Sequence, residues 1–351
     1  MISNYSCPLC KLNNWLPVQR YIYNVRDHLS FSSLIKDKYV SRLNHLCSLF
    51  YTLIYATPKP ENISVKTLTS YERLRRKVLF DIWFPNREQV TLTSQYCMDC
   101  GFMAYTPRPT EADLKAKYEF LYKNSTPEES EEYTLFLEKD PYSKRNRKVI
   151  YELITGKMPG KKLKVLDYGG ANGWYLIPFL EHGHECELID YESEQLPGIK
   201  KIAHEIHEIP SDSMYDAIIC RATLEHVADP LSIVNKFHNI LQDNGVIFAM
   251  VPDEILGGIS RLGQDPVTHV NFFTPKSFEL LFKLDDFEIV SSNTDEMNNI
   301  WVLARKAQNK GTFTLGDEII DTEQLLNPKR LYILKKVLFN RFRLFRLGIF
   351  H

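Results

Sequence analysis

The chain has 351 residues, of which 44% are hydrophobic, so it is long enough to form two domains around substantial cores. Its net charge of -1 gives no general attraction to nucleic acid, and no apolar run is long enough to span a membrane. Seven cysteines, an odd number that includes two C-x-x-C pairs, favour a reducing compartment and metal binding over disulfides. The N-terminal residues are not typical of a signal peptide, so we expect a cytoplasmic protein that does not bind nucleic acid.

The N-terminal region, residues 1–122, carries both C-x-x-C pairs. Each pair forms a tight turn that places two thiolates on one side, and two such turns can complete a tetrahedral zinc site with no open position. A site of this kind stabilises the fold and activates no water. The alternative is two unrelated pairs of buried thiols. The predicted zinc ligands are Cys7, Cys10, Cys97 and Cys100.

A long insertion separates the two pairs, and a polar segment follows the region. The insertion, residues 11–96, is predicted to be largely helical over 34–55 and 70–83. Residues 123–140 are rich in polar and acidic side chains. This composition indicates an exposed connector or a lid.

Residues 141–307 alternate short apolar runs with amphipathic ones. The apolar runs predict strands at 163–168, 185–190, 215–220, 245–251, 287–292 and 300–306. The amphipathic runs predict helices at 146–155, 174–182, 229–241 and 274–284. Such alternation is typical of an α/β fold with a Rossmann-like, doubly wound sheet that is mainly parallel and has helices on both faces. Ligands of such sheets bind at the carboxyl ends of the strands.

A glycine-rich turn follows the first of these strands. Residues 164–173 read Lys-Val-Leu-Asp-Tyr-Gly-Gly-Ala-Asn-Gly, and Gly169, Gly170 and Gly173 predict a turn so tight that a ligand can lie against bare backbone. The next helix would direct its free N–H groups at that ligand. Asp190, at the end of the next strand, could accept hydrogen bonds from both ribose hydroxyls of a nucleoside. We therefore expect an adenosine-like cofactor, and the alternative is a cofactor-free turn in an ordinary α/β domain.

The glycine spacing distinguishes between adenosine cofactors. The dinucleotide pattern G-x-G-x-x-G fails because Ala171 and Trp174 occupy two glycine positions, and no G-K-[ST] triplet of a phosphate loop follows. The turn has no basic residue and Asp167 precedes it, so a cationic ligand suits the site better than a pyrophosphate. The chain here resembles the class I S-adenosylmethionine-dependent methyltransferases, whose first motif is roughly D-x-G-x-G-x-G. Asp167, Gly169 and Gly173 match this motif, and Ala171 replaces the middle glycine.

This resemblance implies that S-adenosylmethionine is the cofactor and that the turn and Asp190 hold it. Two further cofactor contacts are predicted. Glu205 follows a short strand near residue 202 and could reach the adenine amino group, whereas segment 200–207 could equally be a solvated edge. Arg221 directly follows the strand that ends at Cys220, at the edge of the same crevice.

A second group of functional residues follows that strand. Residues 221–230 read Arg-Ala-Thr-Leu-Glu-His-Val-Ala-Asp-Pro, which resembles the L-E-H-V-x-D-P segment of the same family. Glu225 and His226 would lie at the crevice, and His226 is the candidate general base because an unperturbed imidazole titrates near neutral pH. The alternative is a histidine that only orients the loop. Ala222 replaces the first acid of the E-x-x-E-H metal site of quinone O-methyltransferases, so no metal is predicted in this segment.

A second candidate histidine lies farther along the chain. Residues 265–275 resemble the family stretch in which a histidine precedes F-T-P and the next helix. In the family that loop folds over the acceptor, which makes His269 a second candidate base or acceptor contact. The alternative is a hydrogen-bonded loop histidine.

The identity of the acceptor is suggested by the N-terminal region. The pattern C-x-x-C-G followed by P-x-P-T resembles the zinc-ribbon module that precedes methyltransferase domains acting on sugars, in deoxysugar and surface-polysaccharide pathways. The resemblance implies a nucleotide-activated sugar or a glycan as acceptor. The competing interpretations are an enzyme for a small natural product or lipid head group, and a non-catalytic binding scaffold.

The C-terminal tail, residues 308–351, ends in a basic amphipathic segment. From residue 328 onward it has seven basic residues and no acidic ones, with apolar side chains on one helical face. Such a helix either packs on its own domain or a partner subunit, or lies on an anionic membrane surface. The second possibility would place the protein at the inner face of the membrane. The oligomeric state cannot be derived from the sequence.

Overall fold

The computed structural model describes residues 6–25, 30–33, 70–124, 137–191, 195–210, 212–255 and 266–307. The predicted helix at 34–55, most of the connector at 123–140 and the tail at 308–351 lie outside these residues. No helix in the described ranges is long and apolar enough to cross a membrane.

The secondary structure alternates as predicted in the second half of the chain. The strands are β1 (Trp15–Asn24), β2 (Ser30–Ser33), β3 (Gln89–Cys97), β4 (Met103–Thr106), β5 (Lys164–Tyr168), β6 (Glu185–Ile189), β7 (Lys200–Ala203), β8 (Tyr215–Arg221), β9 (Leu241–Pro252), β10 (Asn271–Phe272), β11 (Phe287–Thr294) and β12 (Asn299–Lys306). The α-helices are α1 (Ser70–Lys77, continued by a π-helix over Val78–Trp83), α2 (Glu111–Asn124), α3 (Pro141–Thr155), α4 (Ile177–Glu181), α5 (Pro230–Ile240) and α6 (Pro275–Lys283).

Seven described strands form the larger sheet, in the order β11-β12-β9-β8-β5-β6-β7. β5 pairs in parallel with β6 on one side and with β8 on the other, and the two antiparallel pairings of this sheet are those of β12 with β11 and with β9. The chain builds the sheet outward from β5 in one direction and then returns to build the other half. In doubly wound sheets, ligands bind at the carboxyl ends of the strands where the order reverses, which is here between β5 and β8. The predicted doubly wound α/β fold is therefore confirmed.

Helix boundaries differ from the predicted ones where local capping decides them. α3 begins at Pro141, five residues before the predicted start, because the Asp140 carboxylate accepts hydrogen bonds from the N–H groups of Tyr142 and Ser143. The segment predicted as a helix from Trp174 begins with a 3-10 turn over Trp174–Leu176 before α4. At α5, Asp229 is the N-cap and Pro230 the first helical residue, as predicted.

The smaller sheet joins the two halves of the chain. Its order is β10-β4-β3-β1-β2, and all of its pairings are antiparallel. The insertion between the cysteine pairs is therefore partly a sheet, since it contributes β1, β2 and most of β3, although the predicted helical character of 70–83 is confirmed. β10 comes from residues 271–272, between β9 and α6, and pairs with β4. The N-terminal region thus shares a sheet with the segment that carries His269.

Asn271 is the buried polar residue at this junction. Its side-chain amide donates to the carbonyls of Leu224 (2.7 Å) and Val227 (2.8 Å), and its oxygen accepts a hydrogen bond from Arg108. Asn271 is 1% exposed, so none of these groups can turn to water instead. The amide therefore connects the N-terminal region to both segments that carry candidate histidines.

Replacing this amide tests the junction. Asn271→Leu removes two donors and one acceptor from a buried site, and we expect it to lower the free energy of unfolding by about 2–4 kcal/mol, measured by urea denaturation. Asn239→Leu, on the exposed side of α5, is the matched control and should change stability by less than about 0.5 kcal/mol. Equal stabilities of the two variants would contradict the role assigned to Asn271.

Candidate functional site

The glycine turn lies at the carboxyl end of β5. Gly169 and Gly173 have φ angles of 72° and 90°, which favour glycine. A Cβ atom at Gly169 would lie 2.3 Å from Oγ1 of Thr223, and one at Gly173 would lie 2.5 Å from Cδ1 of Ile199. The absence of a side chain at each glycine therefore makes room for Thr223 and Ile199, in addition to allowing the close ligand approach that the motif predicts.

Gly170 makes room for the candidate carboxylate of Asp167. A Cβ atom at Gly170 would lie 2.2 Å from Oδ2 of Asp167, so only glycine allows this carboxylate to lie beneath the turn. Among the described residues, Oδ2 of Asp167 is buried with no hydrogen-bond partner. A buried and unsatisfied carboxylate oxygen is costly for the fold, and it fits a site whose ligand brings positive charge.

Asp190 closes the other side of the turn. The backbone N–H of Ala171 donates to Oδ2 of Asp190 at 2.8 Å. Ala171 has a φ of 51°, so this alanine adopts the left-handed conformation at the position where the family motif has its middle glycine. The structure thus brings the two predicted aspartates to one turn, with Asp167 below it and Asp190 beside it.

Burial strongly shifts the pKa of Asp167. Removal from water, with a smaller contribution from the negative charge of Asp190, raises the pKa of Asp167 to about 8, and Arg221 opposes this rise. A cationic ligand next to the carboxylate would lower that pKa again. Binding of such a ligand near neutral pH would therefore release a proton.

Glu205 and Arg221 lie at the edges of this region. Tyr191, which follows Asp190, donates its hydroxyl to Glu205 at 2.6 Å, and its ring stacks on Tyr118 of α2 at 5.5 Å between centroids. The guanidinium of Arg221 lies over the ring of Tyr175, 4.5 Å from its centroid. Glu205 therefore already has a hydrogen-bond partner, and its contact with adenine stays a prediction, as does a cofactor contact of Arg221.

The two candidate histidines meet beyond the carboxyl end of β8. The ring centroids of His226 and His269 are 4.7 Å apart, and the carboxylate of Glu225 is 3.8 Å from Nε2 of His226. Nδ1 of His226 lies 2.7 Å from the carbonyl oxygen of Thr268, and Nδ1 of His269 lies 2.8 Å from Glu254. A carbonyl can only accept a hydrogen bond, so His226 must carry its proton on Nδ1 and present a free electron pair on Nε2.

The surroundings of the two histidines separate their pKa values. Burial, together with His269 and Lys117, lowers the pKa of His226 well below its ordinary value. Burial would also lower the pKa of His269, but its hydrogen bond to Glu254 and the charges of Glu254 and Glu225 outweigh this and raise it. Near neutral pH, His226 is therefore a neutral base and His269 is the more readily charged of the two.

Glu225 and the supporting residues complete the cluster. Burial raises the pKa of Glu225 to about 7, and one of its carboxylate oxygens has no hydrogen-bond partner among the described residues. Glu254 and the Thr268 carbonyl, which orient the two imidazoles, were not predicted from the sequence. No sequence motif marks Glu254 or the carbonyl of Thr268, and their contacts with the two histidines depend on how the loop folds.

Comparisons with known proteins agree with the fold and the turn. The family model described as a methyltransferase domain matches residues 130–292, a range that contains β5–β10 and every candidate of the crevice. Because of this similarity, we refer to the matched range below as the methyltransferase domain.

Relatives of the methyltransferase domain cover only part of the chain. The tRNA 5-carboxymethoxyuridine methyltransferase of Escherichia coli K12 is 30% identical over 112 residues, which are 28% of this chain and 43% of that protein. The ubiquinone biosynthesis O-methyltransferase of Rickettsia akari is 23% identical over 41% of this chain and 67% of that protein. A solved S-adenosylmethionine-dependent methyltransferase of Mesorhizobium loti is 15% identical, with a TM-score of 0.39, over 48% of this chain and 100% of its own. The chain thus spans less than half the length of the Escherichia coli relative.

The four predicted zinc ligands converge next to the methyltransferase domain. Sγ of Cys7 is 3.6 Å from that of Cys100, Sγ of Cys10 is 3.5 Å from that of Cys97, and the four sulfurs all lie within 4.8 Å of one another. A tetrahedral zinc ion with Zn–S bonds of about 2.3 Å would separate its sulfurs by about 3.8 Å. The cysteines belong to the same core cluster as Phe273, in the loop that precedes α6 of the methyltransferase domain. This arrangement could hold one structural zinc ion.

Because the carboxyl group of Asp167 is buried beneath the turn, we expect the free energy of unfolding of the chain to fall as pH rises. The pKa of Asp167 is about 8 in the folded chain and near 3.8 in an unfolded one, so between these values only the unfolded chain releases the proton. Unfolding thus becomes easier with rising pH, by up to about 1.4 kcal/mol per pH unit. We expect Asp167→Asn to exceed the wild type in stability by about 2 kcal/mol or more at pH 7 and to match it near pH 4, measured by urea denaturation.

The control for this measurement is Asp243→Asn, because the side chain of Asp243 is 98% exposed. It should leave the pH dependence of stability unchanged. An Asp167→Asn chain that is less stable than the wild type at pH 7 would contradict the assigned protonation of this carboxyl group.

Proposed function

We propose that the chain transfers a methyl group from S-adenosylmethionine to a sugar, which is either nucleotide-activated or part of a glycan, with His226 as the general base. The observation that carries the proposal is the orientation of His226. Its Nδ1 is held by the carbonyl of Thr268, which leaves the electron pair of Nε2 free, and the residue lies within the range that resembles a methyltransferase domain. A neutral imidazole with a free electron pair on Nε2 is the form that a general base requires.

The cofactor residues fit a cationic adenosine derivative. When bound, S-adenosylmethionine supplies an activated methyl group on a sulfonium. Asp190, beside the turn, would accept hydrogen bonds from the ribose, and the buried carboxylate of Asp167 would offset positive charge on the cofactor. Gly169, Gly170 and Gly173 would keep the turn close to it.

The catalytic cluster would align the acceptor and remove its proton. Nε2 of His226 would accept the proton that the acceptor group loses when it takes up the methyl group. Glu225, 3.8 Å away, stabilises the imidazolium that results. His269, paired with Glu254, can donate a hydrogen bond to an acceptor oxygen, and this gives the two histidines different roles.

The sugar acceptor is supported by the sequence pattern of the N-terminal region and by the convergence of its four cysteines. The relatives named above act, by their names, on tRNA and in ubiquinone biosynthesis, so they provide other acceptor classes for a test. A small natural product, a lipid head group and a non-catalytic scaffold are the remaining alternatives.

Methyl transfer is tested with S-adenosylmethionine labelled with ¹³C on the methyl group. The full chain is incubated with nucleotide-activated sugars, unmodified and hypomodified tRNA, catechols and lipid head groups, and the products are identified by mass spectrometry and ¹³C NMR. The methyl chemical shift distinguishes C-methylation from O-methylation. Label in a sugar nucleotide supports the proposal, whereas label only in another class removes the sugar acceptor, and the absence of cofactor binding by calorimetry removes the enzyme function.

Substitution of the base separates binding from transfer. His226→Asn should lower the transfer rate by about 10²–10⁴-fold and leave the dissociation constant of the cofactor within about twofold, because the imidazole acts only on the acceptor proton. His182→Asn, an exposed histidine beside α4, is the control and should keep the wild-type rate. Asp190→Ala should instead abolish cofactor binding. A His226→Asn enzyme that keeps the wild-type rate would exclude His226 as the base.

We further propose that Cys7, Cys10, Cys97 and Cys100 hold one structural zinc ion. The sulfur separations support this, and so does burial, since each of the four side chains is at most 6% exposed. Four thiolates leave no open position for a substrate, so the ion would stabilise the N-terminal region and its contact with the methyltransferase domain.

Metal analysis of the purified, reduced chain should find about one zinc ion per molecule. Cys100→Ser should lose the metal and unfold at lower urea concentration, because the three remaining thiolates cannot complete the tetrahedron. Cys186→Ala removes a buried cysteine outside the cluster and should keep the zinc. Less than about half a zinc ion per wild-type chain would rule out the four-cysteine site.

A further inference from the structure

Lys117, on α2 of the N-terminal region, is a buried lysine that reaches the methyltransferase domain. Its ammonium donates to the carbonyl oxygens of Val267 (2.7 Å) and Thr268 (3.2 Å), and the residue is 3% exposed. No ion pair with a carboxylate is found for it among the described residues. An ammonium group is expensive to bury, so a lysine that spends both hydrogen bonds on one loop indicates a specific task for that loop.

The Thr268 carbonyl is shared between Lys117 and the proposed base. It accepts from Lys117 and also, at 2.7 Å, from Nδ1 of His226. The same carbonyl therefore determines which nitrogen of His226 carries the proton, and the lysine determines where the carbonyl lies. If the loop moved, His226 could rotate or change its tautomer, and Nε2 would no longer be available as a base.

The charge of Lys117 lowers the pKa of His226, and this effect outweighs the hydrogen bond to the Thr268 carbonyl, which raises it. Burial lowers the pKa of Lys117 itself to about 7, with Arg75 adding to this and Glu225 opposing it. In its charged form, the ammonium disfavours a second positive charge on His226. The charged and titratable groups that face His226 are Glu225 on its own segment, His269 on the neighbouring loop with its partner Glu254, Lys117 on α2 and Arg75 on α1.

We infer that Lys117 is a positioning residue of methyl transfer: through the Thr268 carbonyl it fixes the proton of His226 on Nδ1, and its ammonium charge favours the neutral imidazole, so that Nε2 stays free. The inference rests on the proposed function for its catalytic meaning, but its physical content is independent of turnover. It also assigns a task to the N-terminal region, which contributes a residue that acts on the acid–base cluster through the loop at 266–270.

NMR of the full chain with ¹⁵N-labelled histidine tests this directly, since it reports the tautomer and the titration midpoint of each imidazole. In the wild type, His226 should be neutral at pH 7 with its proton on Nδ1. Lys117→Met removes the cation and both hydrogen bonds at similar length, so the His226 midpoint should move to higher pH by about half a pH unit or more, and the Nε2–H tautomer should become populated. Lys117→Arg keeps the cation and should remain closer to the wild type.

Lys123→Met removes the same charge from an exposed position on the same helix and should leave His226 unchanged. If Lys117→Met does not fold, the tautomer and the titration midpoint of His226 in the wild type and in Lys117→Arg still test the inference. A wild-type His226 that carries its proton on Nε2 overturns the inference, and so does a Lys117→Met spectrum identical to the wild type.

Once an acceptor is identified, Lys117→Met should lower kcat about tenfold or more at pH 7 and shift the acid limb of the pH profile of kcat to higher pH, with cofactor affinity unchanged. A fall in kcat that is uniform across pH would indicate a merely structural role. A chain that transfers no methyl group but shows the NMR shifts would lose the proposed function and keep the coupling.

Discussion

Two backbone hydrogen bonds determine where the candidate catalytic cluster forms. The carbonyl oxygen of Glu225 accepts from the N–H groups of Val270 (2.9 Å) and Asn271 (3.0 Å), so the segment after β8 and the segment before α6 are held against each other. His226 and His269 each lie next to one of these bonded residues. Because both segments are loops, nothing in their own secondary structure would keep the imidazoles 4.7 Å apart. The cluster depends on this junction, and the junction in turn depends on the strand pairing of β10.

β10 has only two residues, and its stability comes from the N-terminal region. Alone, such a short strand would be unstable, but it pairs with β4 and packs Phe272 against Tyr105, with ring centroids 5.1 Å apart. Arg108, two residues after β4, donates to the carbonyls of Val270 and Ala228 from the same side. The region that carries the four cysteines is therefore part of the scaffold of the candidate site.

The larger sheet and the glycine turn were predictable because their signals are local. Each strand of 163–220 is an apolar run bounded by turn residues, and the order of motifs along the chain places Asp167, Asp190 and His226 at the ends of three strands. β1 and β3 were not predicted, because they pair with each other across most of the insertion and their alternation mixes aromatic and polar residues. Lys117 lies in helix α2, and Arg108 occupies the variable position of the P-x-P-T pattern, so no motif marked either residue as functional. Their roles exist only because β10 returns to the N-terminal sheet.

The site also shows how function opposes stability within one turn. Gly170 allows Asp167 to lie beneath the backbone, where burial raises its pKa to about 8 and leaves one oxygen unsatisfied. A fold selected only for stability would place an apolar side chain there, since the turn gains nothing from the carboxylate itself. Ala171, which keeps a φ of 51° despite its Cβ, adds further backbone strain in the same turn. Both costs lie in the turn where a cationic ligand would offset them, since positive charge beside Asp167 would satisfy its buried carboxylate.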